Sequence, residues 1–149
     1  MNLNVIANYI NEYKSVYVAY SGGIDSTALL YACFLLKQEG KLKKLSAIHI
    51  NHNLSKNAKL WESHCYKICN QLDIKLIVKN IKIKNSKDGL ESAARKARYD
   101  IFSNIIKKHE LLLIAHHADD VAETVLFRLF RGTGIDGLEG PKEKRSIGE

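Results

Sequence analysis

The stretch Val-Tyr-Val-Ala-Tyr-Ser-Gly-Gly-Ile-Asp-Ser, at residues 16–26, decides how this chain folds. Its first five residues are mostly β-branched or aromatic, which is typical of a buried β-strand. The two consecutive glycines then end the strand, and apolar residues recur at helical spacing from about Asp25 to Glu39. A strand that passes through a glycine turn into a helix is typical of α/β proteins, whose parallel strands alternate with helices.

The same alternation of short apolar runs and longer helical stretches continues on both sides of this unit. Three more strands are predicted, at residues 44–50, 74–78 and 111–115. Four more helices are predicted, at residues 2–13, 58–72, 90–108 and 119–131. Because the strands are almost continuously apolar, both faces of the sheet should be covered by helices. The predicted fold class is therefore α/β, with a doubly wound parallel sheet.

Helical spacing also predicts which side chains of three helices lie on one face. For the helix at 25–39 they are Leu29, Ala32, Cys33 and Leu36. For the helix at 58–72 they are Trp61, Cys65, Ile68 and Leu72. For the helix at 90–108 they are Ala94, Arg98, Ile101 and Ile105. We expect Trp61 and Cys65 to belong to the core.

The composition indicates one globular domain without a membrane segment. The chain has 149 residues, of which 46% are apolar and 26% charged, and this usage argues against a disordered protein. No apolar run approaches the roughly 20 residues that cross a bilayer, and the first residues lack the features of a secretory signal. The chain has only three cysteines, and such an odd and small number indicates reduced thiols rather than disulfides. We therefore expect a cytoplasmic protein that does not bind membranes.

The net charge leaves the choice of partner open. The chain has 23 basic and 16 acidic side chains, so the formal charge is 23 − 16 = +7. Such a surplus permits a polyanionic partner such as nucleic acid. Most of the surplus is lysine in a chain rich in isoleucine and asparagine, so a compositional habit of the source explains it equally well.

Three loops should hold the functional residues. In doubly wound sheets, ligands bind outside the carboxyl ends of the strands, where the strand order reverses. The loops at this edge follow Tyr20, Ile50 and Ala115. Each of them carries polar or glycine residues that a structural connection does not require.

The loop at residues 21–26 has the features of a phosphate-binding turn. Gly22 and Gly23 allow backbone amides to approach an anion, and the following helix adds partial positive charge. Ser21 and Ser26 add hydroxyl donors, while Asp25 would hold Mg²⁺ between its carboxylate and phosphate oxygens. The absence of a following lysine excludes the Walker-type loop. The alternative is an ordinary turn in which Asp25 or Ser26 caps the helix.

The other two loops and one helix carry further candidates. His49 and Asn51 share one face of a strand, either near a nucleotide or as hydrogen-bonded strand residues. Arg98 could bind a phosphate, although Glu91 and Arg95 on the same helix face also allow an ordinary ion pair.

Residues 115–124, Ala-His-His-Ala-Asp-Asp-Val-Ala-Glu-Thr, place two histidines and two aspartates after the fourth strand. A capping box and a zinc site are the alternatives for that segment.

Here a family resemblance becomes specific. The loop Ser-Gly-Gly-Ile-Asp-Ser resembles the pyrophosphate loop of the N-type ATP pyrophosphatases, which cleave ATP between its α and β phosphates. Residues 49–54, 91–99, 115–124 and 131–138 resemble, in order, four further motifs of the tRNA(Ile)-lysidine synthases. Asn53 stands where that family usually has glycine, and Val121 where it has glutamine. The resemblance covers most of the chain and implies the adenine-nucleotide α-hydrolase-like fold.

The resemblance also implies roles for individual residues. The expected ATP-binding residues are Ser21, Gly22, Gly23, Ile24, Asp25, Ser26, His49 and Asn51. The expected catalytic residues are Asp25, Arg98, His116 and Asp120. Of these, Asp25 and Asp120 would hold Mg²⁺. The expected substrate-binding residues are Arg95, Arg131, Gly132 and Gly134.

The reaction that the resemblance implies has two steps. ATP with Mg²⁺ adenylates the C2 carbonyl oxygen of the wobble cytidine of tRNA(Ile), and free L-lysine then displaces AMP to form lysidine. One alternative is another ATP pyrophosphatase, such as a tRNA cytidine thiolase or a synthetase domain. However, Cys65 and Cys69 do not form the C-x-x-C pair of the thiolases. A catalytically silent ATP-binding fragment is the other alternative.

The length bears on how much of such an enzyme is present. The resemblance implies that residues 1–149 form the catalytic domain, cut before its last strand and without the carboxyl-terminal domains that grip tRNA. We expect the site residues to be present and most of the tRNA-binding surface to be missing. The oligomeric state stays open, with a dimer as one option.

Overall fold

The structure, a computed structural model, describes residues 3–51, 57–81 and 90–115. Its four strands are β1 (Ser15–Ala19), β2 (Leu45–Asn51), β3 (Lys75–Asn80) and β4 (Glu110–Ile114). Its four helices are α1 (Leu3–Ile10), α2 (Ile24–Gln38), α3 (Ala58–Gln71) and α4 (Leu90–Ile105). These bounds lie within three residues of the predicted ones. The helix predicted at residues 119–131 lies outside the described residues.

Helix α4 ends earlier than predicted because a turn precedes β4. His109 has a φ of 67°, a left-handed conformation that a helix does not contain. The backbone amide of Lys107 donates to the Glu110 carboxylate at 2.9 Å instead of continuing the helix. The helix therefore stops at Ile105, three residues before the predicted end.

The strands form one parallel sheet in the order β3-β2-β1-β4. The chain proceeds outward from β1 through β2 to β3, and then crosses to the opposite side of β1 to form β4. This reversal places the switch point of the strand order between β1 and β4. The α/β class and the doubly wound parallel sheet are thus confirmed. The carboxyl end of β1, where the glycine loop begins, lies at the switch point.

The core contains residues of the sheet and of helices α1, α2 and α3. On β1, Val16 and Val18 are fully buried, as its β-branched and aromatic run predicts. All four residues predicted for the buried face of α2 are buried: Leu29, Ala32, Cys33 and Leu36. Each large apolar side chain buried in this way contributes on the order of 1.5–3 kcal/mol to folding. This packing fixes the start of α2 relative to the end of β1.

The prediction that Trp61 belongs to the core is wrong. Helix α3 buries Cys65 and Cys69 completely, whereas Trp61 is 51% exposed. Trp61 lies in the first turn of α3, and its ring passes beside Gly22 at the carboxyl edge of the sheet. On α4 the most buried side chain is Phe102, which the predicted stripe did not include. No helix in the described ranges combines the length and the apolar character that a bilayer-spanning segment needs.

Candidate active site

The glycine loop joins β1 to α2 at the carboxyl edge of the sheet. The amide of Tyr20 donates to the Ile48 carbonyl at 2.8 Å, so sheet pairing continues to the last residue before the loop. Gly22 then adopts a φ of 86°, which reverses the chain. Helix α2 begins at Ile24, and Gly23 occupies its N-cap position without a side-chain hydrogen bond.

The start of α2 therefore lacks a side-chain cap. The alternative in which Asp25 or Ser26 caps the helix is wrong, because both residues lie inside its first turn. Amide groups of a first helical turn have no carbonyl partner within the helix and carry partial positive charge. A phosphate group can supply the missing acceptors. The geometry thus favours an anion-binding turn over a simple connection.

Hydrogen bonds within the loop fix its shape. The Gly23 amide donates to Ser21 Oγ at 3.2 Å, and Ser26 Oγ donates to the Gly23 carbonyl at 3.0 Å. The two serine Oγ atoms are 3.0 Å apart. Because the hydrogen atom of the Ser26 hydroxyl is already donated to Gly23, Ser21 is the donor in this pair. The hydroxyl of Thr27 adds a second bond to the Gly23 carbonyl at 2.8 Å. The loop is thus organised by its own side chains, which lowers the cost of ordering it around a ligand.

Asp25 lies at the start of α2, where solvent can reach its carboxylate. Its side chain is exposed in the first turn of α2, beside the loop. Mg²⁺ keeps several waters and is commonly bound by one or two carboxylates together with substrate phosphates. Within residues 3–51, 57–81 and 90–115, no three histidine, cysteine or acidic side chains form a metal-binding group. The Mg²⁺ role of Asp25 stays a prediction.

His49 and Asn51 lie at the carboxyl end of β2, next to β1. Both are buried, as expected for residues that share one face of the strand. The Nδ1 atom of His49 is 2.9 Å from the Tyr20 carbonyl oxygen, and Asn51 donates its side-chain amide to Glu62 at 3.0 Å. The interpretation of His49 as a hydrogen-bonded strand residue is therefore confirmed for Nδ1. A contact with ATP stays a prediction for both residues.

Side chains of helix α3 pack against the loop at Gly22, which the sequence did not indicate. A Cβ atom at Gly22 would lie 3.0 Å from Cys65 Sγ and 3.7 Å from Trp61 Cε3. Glu62, between them in the chain, holds Asn51. The spacing of Trp61 and Cys65 by one helical turn indicated a common face, but nothing in the pattern indicated that this face meets the loop.

The three cysteines of the chain are buried thiols. Burial raises the pKa of Cys33 to about 12 and the pKa values of Cys65 and Cys69 to about 11. They therefore keep their protons at neutral pH. Thiolates, not thiols, bind metals and act as nucleophiles. This environment gives the cysteines no resemblance to a cluster-binding or sulfur-transferring set.

Arg98 and Arg95 on α4 have different environments. The Nε atom of Arg98 is buried and has no hydrogen-bond partner, whereas most buried polar atoms have one. Arg95 is exposed, and its guanidinium carbon lies 5.4 Å from the centre of the Tyr99 ring. Arg98 therefore has one buried donor without a partner, while Arg95 has a cation–π contact on its own helix. The side chain of Glu91 lies outside the described part.

The remaining predicted site residues fall beyond Ala115. They are His116, Asp120, Arg131, Gly132 and Gly134, and all of them lie outside the described residues. Their assignments to catalysis, Mg²⁺ and substrate binding stay predictions. The same holds for Asn53 and Val121, the two departures from the family pattern.

A glycine turn that leads into a helix at the switch point of a parallel sheet is typical of nucleotide-binding α/β domains. The sequence profile of the PP-loop domain family matches residues 2–148. The chain belongs to the PP-loop domain family.

Curated relatives narrow the comparison. The chain is 42% identical over 139 residues to the tRNA(Ile)-lysidine synthase of Legionella pneumophila strain Lens, covering 93% of this chain and 32% of the relative. It is 48% identical over 134 residues to the enzyme of that name from Buchnera aphidicola subsp. Acyrthosiphon pisum, covering 90% and 30%. For the Buchnera aphidicola subsp. Schizaphis graminum enzyme, the values are 43% over 147 residues, 97% and 33%. The chain thus spans about a third of these relatives.

A solved structure confirms the fold independently. The U34-tRNA thiolase NcsA from Methanococcus maripaludis, solved with its [4Fe-4S] cluster, superposes with a TM-score of 0.68. The match covers 83% of this chain and 45% of the thiolase, at 23% sequence identity. At that identity the likeness concerns the arrangement of strands and helices, not the chemistry.

Proposed function

We propose that the loop at residues 21–26 binds the pyrophosphate portion of ATP and that the chain cleaves ATP between its α and β phosphates. The observation that carries this proposal is the uncapped start of α2 behind Gly22 and Gly23. The first-turn amides would donate hydrogen bonds to the phosphate oxygens, and Asp25 would share an Mg²⁺ ion with them. Arg98, whose buried Nε atom has no hydrogen-bond partner, would place its guanidinium group on the anion.

The acceptor in the proposed reaction is the wobble cytidine of tRNA(Ile). ATP adenylates the C2 oxygen and releases pyrophosphate, after which the ε-amine of free L-lysine attacks C2 and AMP leaves. Adenylation is required because the carbonyl oxygen of cytosine is a poor leaving group, whereas AMP is a much better one. The protein would contribute charge neutralisation and positioning. The names of the curated relatives support this choice of substrate.

The proposed roles extend to residues outside the described part. His116 would contact phosphate or the leaving group, and Asp120 would hold Mg²⁺ or orient the cytidine. Arg95, Arg131, Gly132 and Gly134 would lie along the substrate. A tRNA substrate and a free amino acid also imply that the reaction takes place in the cytoplasm.

A product assay tests this proposal. The chain is incubated with a tRNA(Ile) transcript, Mg²⁺, radiolabelled lysine and ATP labelled in its α phosphate. We expect AMP and lysine-labelled tRNA in equal amounts, and neither with a transcript whose wobble cytidine is replaced by uridine. A longer form of the protein, where one exists, serves as the comparison for tRNA affinity.

Three other outcomes would each reject part of the proposal. AMP formation that requires a sulfur donor instead of lysine would identify a thiolase. AMP formation that requires neither tRNA nor lysine would indicate another acceptor. ATP binding without any tRNA-dependent AMP, in both the chain and a longer form, would indicate a silent nucleotide-binding module.

A further inference from the structure

The residue that precedes the glycine loop is held at three of its polar groups. The Tyr20 amide donates to Ile48 at 2.8 Å, and the Tyr20 carbonyl oxygen lies 2.9 Å from His49 Nδ1. Its phenol oxygen lies 3.3 Å from Thr27 Oγ1, on the far side of the loop. Tyr20 is itself only 1% exposed. The loop therefore leaves the sheet from a fixed point.

The contact with His49 differs from the other two because it depends on which ring nitrogen of the imidazole carries the hydrogen atom. A carbonyl oxygen only accepts hydrogen bonds, so this contact requires a hydrogen atom on Nδ1 of the imidazole. His49 is 5% exposed and belongs to β2, whereas Tyr20 ends β1. The ring therefore joins two strands through a side chain, at the position where ordinary sheet pairing ends. Without it, the Tyr20 carbonyl would be a buried acceptor that has lost its partner.

His49 also contacts the helix that supports the loop. Cys65 Sγ lies 3.5 Å from His49 Nδ1, and the same sulfur would be 3.0 Å from a Cβ atom at Gly22. Strand β2, helix α3 and the loop thus meet at one buried imidazole and one thiol. A displacement of the ring would move either the Tyr20 carbonyl or the thiol beneath Gly22.

We propose that His49 is a positioning residue, which sets the conformation of the glycine loop through the Tyr20 carbonyl and does not itself bind ATP. The inference rests on the proposed function only in taking ATP as the ligand of the loop. It replaces direct ATP contact by His49 with an effect transmitted through the backbone. The relevant ring atom is then Nδ1, whereas a ligand contact from the open edge of the ring would use Nε2.

Two substitutions separate these roles. The side-chain nitrogen of asparagine can occupy the position of Nδ1, whereas that of glutamine reaches the position of Nε2. We expect His49→Gln and His49→Ala to weaken ATP binding about tenfold, which corresponds to about 1.4 kcal/mol. His49→Asn should recover most of that loss and bind within about threefold of the parent chain. His109→Asn, at an exposed histidine before β4, is the matched control and should bind like the parent.

The opposite ranking would overturn the proposal. If His49→Gln keeps the affinity and His49→Asn loses it, Nε2 contacts the ligand directly. If asparagine, glutamine and alanine all bind like the parent chain, His49 has no role in the loop. Calorimetric titration with ATP and Mg²⁺ supplies the dissociation constants for this comparison.

Hydrogen exchange in the ligand-free chain tests the same proposal without ATP. The amides of Tyr20, Gly23 and Thr27, which donate hydrogen bonds at the loop, should exchange about tenfold faster in His49→Gln and His49→Ala than in the parent, and His49→Asn should restore protection. Unchanged exchange in all variants would reject the positioning role. If the parent fails to bind ATP, the proposed function fails, whereas this exchange experiment still decides the role of His49.

Nitrogen NMR of the unsubstituted chain tests the proposal without any substitution, so it does not depend on whether the variants fold. Two-bond nitrogen–proton spectra at alkaline pH, where an unperturbed imidazole is neutral, distinguish the two tautomers. We expect His49 to carry its hydrogen atom on Nδ1. A hydrogen atom on Nε2 would leave the Tyr20 carbonyl without a donor and would overturn the proposal.

Discussion

At the scale of single residues, Gly22 meets two separate demands. Its φ of 86° is one that residues with a Cβ atom rarely adopt. The space for a Cβ atom is also restricted, because Cys65 Sγ would be 3.0 Å away. Gly40 has a similar φ of 74°, but no atom lies within 4 Å of its Cβ position. Comparing substitutions at the two glycines therefore separates the effect of backbone strain from the effect of steric contact.

Substitution of Gly22 by alanine should destabilise the chain more than substitution of Gly40. Both changes place alanine in left-handed backbone at a cost of roughly 1–2 kcal/mol. Gly22→Ala should cost about 1 kcal/mol or more in addition, because the Cys65 thiol must move. Urea unfolding of both variants measures the difference. Equal free energies of unfolding would show that Cys65 yields without cost.

Substitution of Asp25 by asparagine should abolish pyrophosphate release and leave the fold intact. The side chain is exposed, so its charge does not support the core. The amide keeps the shape of the carboxylate but is a much weaker ligand for Mg²⁺. Asp73→Asn, at an exposed turn before β3, is the control and should release pyrophosphate at the parent rate. Full activity of Asp25→Asn would contradict the proposed Mg²⁺ role.

At the scale of elements, α3 and α4 show where helical spacing predicts burial and where it fails. Spacing placed Trp61 and Cys65 on one face, and Cys65 is fully buried. Trp61 lies one turn nearer the start of α3, where its ring lies beside Gly22 and is 51% exposed. On α4, Phe102 lies beside the predicted stripe rather than on it. Burial depends on where a helix crosses the sheet, and spacing alone does not contain that information.

Alanine substitutions at these two aromatic residues should differ strongly in their effect on stability. Phe102→Ala removes a ring that is 1% exposed and should lower the free energy of unfolding by about 3–5 kcal/mol. Trp61→Ala removes a ring that is half exposed and should cost about 1 kcal/mol or less. Urea titration of both variants provides the comparison. A larger loss for Trp61 would show that its ring is covered in solution.

The fold was predictable because its deciding signals are local. The β-branched run at residues 16–20, the two glycines and the apolar face of α2 indicate a strand, a turn and a helix without tertiary information. The parallel orientation of the strands follows from the repetition of that strand–helix unit. The loop's chemistry was predictable for the same reason, since its serines, glycines and Asp25 are adjacent in the chain.

The supporting contacts of the site were not predictable. Tyr20 and His49 are 29 residues apart, and Gly22 meets Cys65 from another helix. These contacts depend on strand register and on the packing of α3 against the loop. The uncapped start of α2 was also missed, because Asp25 and Ser26 are common capping residues and only the position of the first helical turn excludes them.

At the scale of the whole molecule, the buried thiols predict how stability depends on pH. In the unfolded chain the thiols ionise near their ordinary pKa of 9.0, whereas burial raises the pKa of Cys33 to about 12. Above pH 9 the unfolded chain binds fewer protons than the folded one, so stability falls as the pH rises. Each thiol contributes a slope of at most about 1.4 kcal/mol per pH unit.

Urea unfolding between neutral pH and pH 10 measures this dependence. The free energy of unfolding should be constant below the ordinary thiol pKa and should decline above it. Cys33→Ala removes one of the three titrating thiols and should decline less steeply, whatever its stability at neutral pH. Identical slopes for the two proteins would show that Cys33 ionises in the folded state as readily as in the unfolded one.

The measurement that tests the central claim most directly is a nitrogen–proton NMR titration of the chain with pyrophosphate and Mg²⁺. It reports on the loop itself and does not require tRNA, lysine or turnover. We predict saturable shifts of the amide signals of residues 21–26, with Asp25→Asn removing the dependence on Mg²⁺. Shifts confined to other parts of the chain, with the loop signals unchanged at saturation, would contradict the assignment of this loop as the pyrophosphate site.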